Sequence, residues 1–251
     1  MGLVGNILIV IVVLIICYFI YSLFFRKTKT LTHMNRADTK SVVVKHKNLP
    51  HNNSSDFTYS IWFFIDDWNI NYGENKNILW QGGANPDIAI ALDKYENDLN
   101  ILIESYTNTE QVTQYQGQYH TQQTVTTDIA IDGYTVSNVP LQKWVNLIVS
   151  INGRTLDIYL DGKLVKTYIL PGIARTDSNA DILVGNYQPY LKGFSGWTSK
   201  LQYLAHAVNP QEAYDIYKKG PTSNFLGSIF NKYRLKFSFL EYDTEKASIE
   251  I

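Results

Sequence analysis

Alternation of apolar and polar residues is strongest between Trp144 and Tyr168. Val145, Leu147, Val149 and Ile151 alternate with Trp144, Asn146, Ile148 and Ser150, the period of a strand with one apolar face. Asn152-Gly153 follows, a pair suited to the positive φ angles of a tight hairpin turn. Leu156, Ile158 and Leu160 then alternate with Asp157, Tyr159 and Asp161, and Asp161-Gly162 turns the chain into Leu164-Val165. Three antiparallel strands with one apolar face cannot stand alone in water. The pattern therefore predicts a second sheet packed on the first.

The same period recurs on both sides of this stretch. Phe57, Tyr59, Ile61, Phe63 and Ile65 share one face of a strand over Asp56–Asp66. Ile78-Leu79-Trp80 runs into Gly82-Gly83, and Asp87–Leu92, Leu99–Glu104, Asp181–Gly185 and Leu201–Ala205 read as further short strands. One helix is punctuated clearly, with Asn209 as N-cap, Pro210 at the first position and Glu212 placed to bond back to the cap. Its buried stripe is Ala213, Ile216 and Tyr217, and Gly220-Pro221 stops it. Residues 222–251 carry alternating Tyr233, Leu235, Phe237 and Phe239, a tail or an extra strand. Residues 107–127 differ from the rest: 13 of the 21 are Thr or Gln and Glu110 is the sole formal charge. They form either a disordered loop or, the preferred reading, an extended arm that pairs with a neighbouring chain by strand addition.

The N-terminus follows another rule. Leu3–Phe25 is uncharged, and 15 of the 19 residues from Ile7 to Phe25 are Ile, Leu, Val or Phe. That many helical residues at ~1.5 Å each roughly match a hydrocarbon core of ~30 Å. A retained transmembrane helix is expected over residues 1–25, with Ile7, Val12, Ile16, Phe19 and Phe25 facing lipid. A cleaved signal peptide needs charge before the apolar run, and here the charges come after it. Gly2 is a weak N-myristoylation signal, because Asn6 stands where Ser or Thr is preferred. Arg26, Lys27 and Lys29 flank the helix at the membrane surface and open a basic linker over 26–41. By the positive-inside rule they keep the large C-terminal domain on the cytoplasmic side of a single-pass membrane protein. Overlapping sequons at Asn52 and Asn53 point the other way if they carry glycans.

Charge and composition narrow the partners. The net charge of −1 hides an asymmetry, with seven Lys or Arg against Asp38 alone over residues 26–47. The other residues hold 15 bases and 22 acids, a net of −7 that argues against nucleic acid as a partner. Cys17, the only cysteine, lies in the apolar N-terminus, so no disulfide staples the domain.

These pieces resemble the concanavalin A-like, laminin G-like jelly roll. The residues that carry the resemblance are Phe57–Trp62, Trp144–Val149, Ile158–Lys163, Ile182–Gly185, Gly193–Gly196, Asn209–Glu212 and Tyr217–Pro221. It implies an all-β sandwich of two antiparallel sheets over residues 42–221, behind one N-terminal transmembrane helix. Two departures stand out. Asn146 takes the place of a common His, and Ser199-Lys200 takes the place of an acidic pair that follows the closing glycine. The second removes the basis for the family's usual calcium site. One N-terminal helix joined to such a domain also resembles membrane-associated structural proteins of large nucleocytoplasmic DNA viruses.

Chemistry is sparse. Glucanases of this fold carry Glu-x-Asp-x-Glu on one mid-chain strand, and Glu241-Tyr242-Asp243-Thr244-Glu245 spells it only in the C-terminal tail. His33, His46, His51, His120 and His206 have no metal-ligand spacing, so no metal, no cofactor and no catalytic residue is expected. Trp68, Tyr72, Tyr187, Tyr190 and Trp197 fall in loops or at strand ends, where aromatic faces can stack on pyranose rings or cap the core. The expected function is a non-enzymatic, membrane-anchored structural protein. On the viral resemblance it is a minor capsid or inner-membrane protein at the membrane–capsid interface of a virion, linking bilayer to shell by contacts with other capsid or membrane proteins. The alternative is a membrane-anchored, lectin-like module whose partners are glycans.

Overall fold

The computed structural model describes residues 12, 14–15, 30–39, 41–50, 55–83, 85–113, 122–175, 179–222, 236–241 and 244–250. The chain runs through β1 (Asn35–Arg36), β2 (Val42–Val44), β3 (Phe57–Asp67), β4 (Lys76–Gly82) and β5 (Pro86–Leu92). Then come β6 (Leu99–Thr113), β7 (Gln122–Val136), β8 (Trp144–Asn152), β9 (Thr155–Leu160) and β10 (Lys163–Ile169). After β11 (Ile173–Ala174), β12 (Ile182–Val184) and β13 (Ser195–Leu204) follows the one described full helix, α1 (Pro210–Lys218). A hairpin of β14 (Lys236–Glu241) and β15 (Thr244–Glu250) ends the described chain.

Two antiparallel sheets make the sandwich. The first has the order β1-β13-β3-β8-β9-β10, and the second β11-β6-β5-β4-β12-β2 with β7 on the free side of β6. The alternating residues of β3 and β8 (Phe57, Ile61, Phe63, Val145, Leu147, Val149) point into the core with Ile78, Ile90, Ile101 and Ile103 from the second sheet. Full burial of each such side chain contributes roughly 1.5–3 kcal/mol, which is what joins the sheets. The two-layer, all-β reading holds.

The other face of β8 is buried as well. Ile148, with Tyr159 of β9, packs under Leu204, Val208, Ala213 and Ile216, so α1 covers the outside of the first sheet. Ser150 on that face is satisfied inside, its Oγ accepting from Thr58 Oγ1 and Val208 N, each at 3.0 Å. Asn146 donates to Ser60 Oγ at 3.3 Å, whereas its buried Oδ1 meets no partner among the described residues. Tyr217 completes the stripe by stacking on Trp62, with ring centroids 5.6 Å apart. Asn209 caps the helix by accepting from Glu212 N at 2.9 Å. The Glu212 carboxylate does not close a capping box; it meets His206 Nε2 at 3.0 Å instead. Asn209→Ala is expected to cost about 1 kcal/mol, read from the urea midpoint of the full chain. At the far end of α1, Lys200 Nζ donates to Lys219 O and Gly220 O, and Ser199 Oγ to Pro221 O at 2.6 Å. The Ser199-Lys200 departure thus fastens the helix C-terminus.

Three boundaries differ from expectation. The sandwich begins ahead of residue 42, inside the stretch read as a basic linker. Thr30 bridges Gln202, Leu31 N donates to Leu201 O, and β1 pairs with β13. Residues 107–113 and 122–127 of the Thr/Gln-rich stretch are extended but pair within their own chain, as β6 and β7 stay in register from Leu99↔Val136 to Thr113↔Gln122. The strand of the C-terminal tail pairs with β15, and Glu241 and Glu245 fall on the two arms of that hairpin. They cannot act as neighbours along one strand.

Of the anchor residues, Ile7, Ile16, Phe19, Phe25, Arg26, Lys27 and Lys29 lie outside the described residues, as do Asn52 and Asn53. Val12 is helical and exposed. Among the described residues no helix is long and apolar enough to cross a membrane.

Candidate functional site

Strand alternation turns Trp80, Asp87, Ala89, Ala91, Asn100, Leu102 and Glu104 away from the core, onto the outer face of the second sheet. Register lines some of them up in a row across five strands: Leu183↔Trp80, Trp80↔Ala89, Ala89↔Leu102, Leu102↔Gly133. A second row runs Asn77↔Ala91, Ala91↔Asn100, Asn100↔Thr135. Ala89, Ala91 and Gly133 are small, so beside the half-buried Trp80 the face sinks into a cleft of about 570 Å³. Asn100 and Thr135 lie on its floor; Lys94, Tyr190 and Lys192 stand at its wall.

The wall is well held. Asn77 Nδ2 donates to Gly185 O at 2.8 Å, Asn77 N to Lys192 O at 2.6 Å, and Asn71 Nδ2 to Gly193 O at 2.8 Å. These bonds clamp the segment bearing Tyr190 against β4 and the loop after β3. Thr135 Oγ1 donates to Asn100 Oδ1 at 2.9 Å, and Asn100 Nδ2 to Asp93 Oδ2 at 3.0 Å. Asp93 also accepts from Tyr95 N and Glu96 N, and these bonds, Tyr95's first, hold its carboxyl below the usual range. Beneath the rim, Lys76 is 1% exposed and directs its ammonium at the carbonyls of Glu74, Asp93 and Lys94. It lies 4.5 Å from the centre of the Trp68 ring, and burial lowers its pKa below that of an ordinary lysine.

A smaller hollow of about 400 Å³ lies further along the face, lined by Asp87, Glu104, Arg175, Ile129 and Ile131. Glu104 is 2% exposed and accepts from Arg175 at 2.6 Å, which raises the Arg175 pKa. An ion pair this close engages the carboxylate rather than leaving it to a substrate. Among the described residues no group of three or more His, Cys, Asp or Glu gathers as a metal site.

Residues 37–213 match the Laminin G 3 family model, described as the Concanavalin A-like lectin/glucanases superfamily. The chain belongs to this superfamily. No curated protein matches it in sequence. Among solved structures, the concanavalin A-like domain is similar to the botulinum neurotoxin serotype D binding domain. The TM-score is 0.53 at 10% identity, over 76% of this chain and 44% of that one. It is also similar to the binding domain of botulinum neurotoxin DC in complex with rat synaptotagmin II (TM-score 0.51, 15% identity, 71% and 40% covered). The same domain in complex with SialylT gives 0.51 at 13% identity, with 74% and 41% covered. At these identities the likeness is one of fold, and the chain spans less than half of each neighbour's length.

Within the concanavalin A-like domain the aromatic residues singled out from sequence do not converge. Tyr190, 80% exposed, lines the cleft, and Tyr187 stacks behind it with centroids 6.3 Å apart. Trp68 borders a separate hollow at the rim with Tyr95, Asp98 and Asn138, and Tyr72 meets Tyr95 edge-on. Trp197 sits on the other sheet, in register with Arg36 and Phe64, its ring under the Arg36 guanidinium at 5.2 Å. Trp80, Asn100, Lys94 and Lys192 were not singled out. One signal was available for Trp80: the paired strand carries Ala89 and Ala91 at alternate positions between isoleucines, a gap where a tryptophan faces outward.

Proposed function

We propose that this concanavalin A-like domain is a binding module whose outer-face cleft takes a saccharide against Trp80. The observation that carries the reading is the composition of the cleft. A half-buried indole lies beside a floor of small residues, an amide and a hydroxyl hold each other within reach, and a solvent-exposed tyrosine stands at the wall. A pyranose presents an apolar ring face and a rim of hydroxyls, which matches that arrangement. The similarity to a toxin binding domain solved with SialylT and with rat synaptotagmin II supports a binding role over a catalytic one. The test is a glycan array probed with the full chain in lipid nanodiscs. Saturable binding is expected, weakened about tenfold or more by Trp80→Ala, which removes roughly 1.4 kcal/mol of stacking. Binding that survives this substitution unchanged contradicts the proposal.

A second reading, a structural role, draws on the ribbon of β6 and β7. Its pairing continues to Thr113↔Gln122, past Ile103, the last residue of β6 paired with β5. At its root Ile173, Tyr106 and Ile129 form an exposed cross-strand row. Such a projection suits lateral contacts with capsid or membrane proteins of a virion. Both readings use the apolar run 3–25 and Arg26, Lys27 and Lys29 as a single-pass anchor in a lipid bilayer. They part on orientation. The structural role keeps the domain cytoplasmic, as the flanking charges favour, whereas saccharide recognition calls for the side on which Asn52 and Asn53 would be glycosylated. Protease treatment of sealed vesicles separates them: digestion from the cytoplasmic face favours the structural role, and protection favours the saccharide.

A further inference from the structure

The cleft carries two cations that the fold leaves unused. Lys94, in the turn between β5 and β6, and Lys192, after the turn that bears Tyr190, both line it. Neither ammonium is ion-paired with a described residue. Other cations of the domain are committed: Lys76, beneath the cleft rim, to backbone carbonyls and Trp68, Arg175 of the second hollow to Glu104, and Lys200 of the first sheet to the end of α1. Both lysines are anchored through their own backbones. Lys192 O accepts from Asn77 N at 2.6 Å, and Lys94 O accepts from Gly73 N at 3.1 Å. Glu74 lines the same wall and offsets one of the two charges. Asp93, which accepts from Asn100, also acts electrostatically on the buried Lys76, whose ammonium donates to the Asp93 carbonyl. Among the residues that line the cleft, two lysines therefore stand against Glu74, a surplus of one positive charge on the lining itself, while Glu96 and Asp98 of the Lys94 turn line the separate hollow at the rim. The lining at the Lys94–Lys192 end is thus basic, whereas the chain beyond residue 47 carries a net charge of −7. The hollow further along the face is lined by Asp87, Glu104 and Arg175, with Arg175 paired to Glu104.

Resting on the saccharide reading above, we infer that the cleft selects acidic saccharides, with a carboxylate or sulfate at the Lys94–Lys192 end and a sugar ring against Trp80. The ring contributes the affinity and the acid contributes the selection.

The test uses the full chain in nanodiscs of zwitterionic lipid. Calorimetry compares hexasaccharides of chondroitin, alginate, polygalacturonate and sialic acid, each beside its carboxyl-reduced counterpart. Sulfated chondroitin after carboxyl reduction serves as the sulfate-only arm. At least one acid is expected to bind about fivefold to tenfold more tightly than its neutral counterpart, with the advantage falling as salt is raised. The double variant Lys94→Gln with Lys192→Gln should erase that advantage, so that on this variant each acid binds no more tightly than its own neutral counterpart, and should melt with the unmodified chain. Trp80→Ala should weaken acidic and neutral forms alike. Equal binding of acidic and neutral forms overturns the acidic preference and leaves the saccharide reading standing. Binding by none of them, together with a blank glycan array, overturns both.

Discussion

Phe63→Ala is expected to lower the unfolding free energy of the sandwich by about 4 kcal/mol. Phe63 is fully buried at the middle of β3, the strand held between β13 and β8 in the first sheet. It is paired with Thr198 on one side and Val145 on the other, so the backbone cannot collapse into the space the ring leaves. The loss combines the transfer free energy of the ring with the cost of a persistent cavity. Phe63→Leu refills most of that volume and should cost less than about 1.5 kcal/mol. Guanidinium denaturation followed by tryptophan fluorescence measures both. A loss below about 1 kcal/mol for the alanine variant would show that the two sheets do not share one close-packed core.

Gly196→Ala is expected to be nearly as damaging, about 3 kcal/mol or more, for a different reason. Gly196 lies at the register shift where β13 meets β3, with φ at +151°. A Cβ there would stand 1.9 Å from the Phe64 carbonyl oxygen and 3.0 Å from the Phe194 ring. The first obstacle is backbone, so the pairing of β13 with β3 has to open for the methyl group to fit. Gly153 is the internal control. It also has a positive φ, of +57°, but a Cβ there meets nothing within 4 Å, so Gly153→Ala should cost about 1 kcal/mol. Equal melting temperatures for the two variants would mean that the close approach at Gly196 does not exist in solution.

What could be read from the sequence follows from how local each signal is. The hairpins from Trp144 to Ile169 were legible because Asn152-Gly153 and Asp161-Gly162 mark their turns and period-two alternation marks their faces. The helix was legible through Asn209, Pro210 and the Ala213, Ile216, Tyr217 stripe. The burial of the second face of β8 was hidden, because Asn146 and Ser150 look like solvent-facing residues. Only their partners Ser60, Thr58 and Val208, far away in sequence, make them interior. Composition marked residues 107–127 as poor in apolar surface but could not reveal the own-chain pairing of 107–113 with 122–128, because pairing is a matter of register. The cleft was the least legible part. Trp80 becomes a platform only when β4, β5, β6 and β7 align its row with Ala89, Leu102 and Gly133. Exposed tryptophans and tyrosines in loops were the natural candidates, and of these Tyr190 lines the cleft.

Trp80 and Trp197 lie on opposite sheets of one domain, so a single pair of variants tests which face is used. The most direct measurement is calorimetric titration of the strongest array glycan into the full chain, Trp80→Ala and Trp197→Ala. The cleft predicts that Trp80→Ala weakens binding about tenfold or more while Trp197→Ala binds as the unmodified chain does. Loss of binding in Trp197→Ala with Trp80→Ala unaffected would contradict it, and would move the site to the outer face of the first sheet.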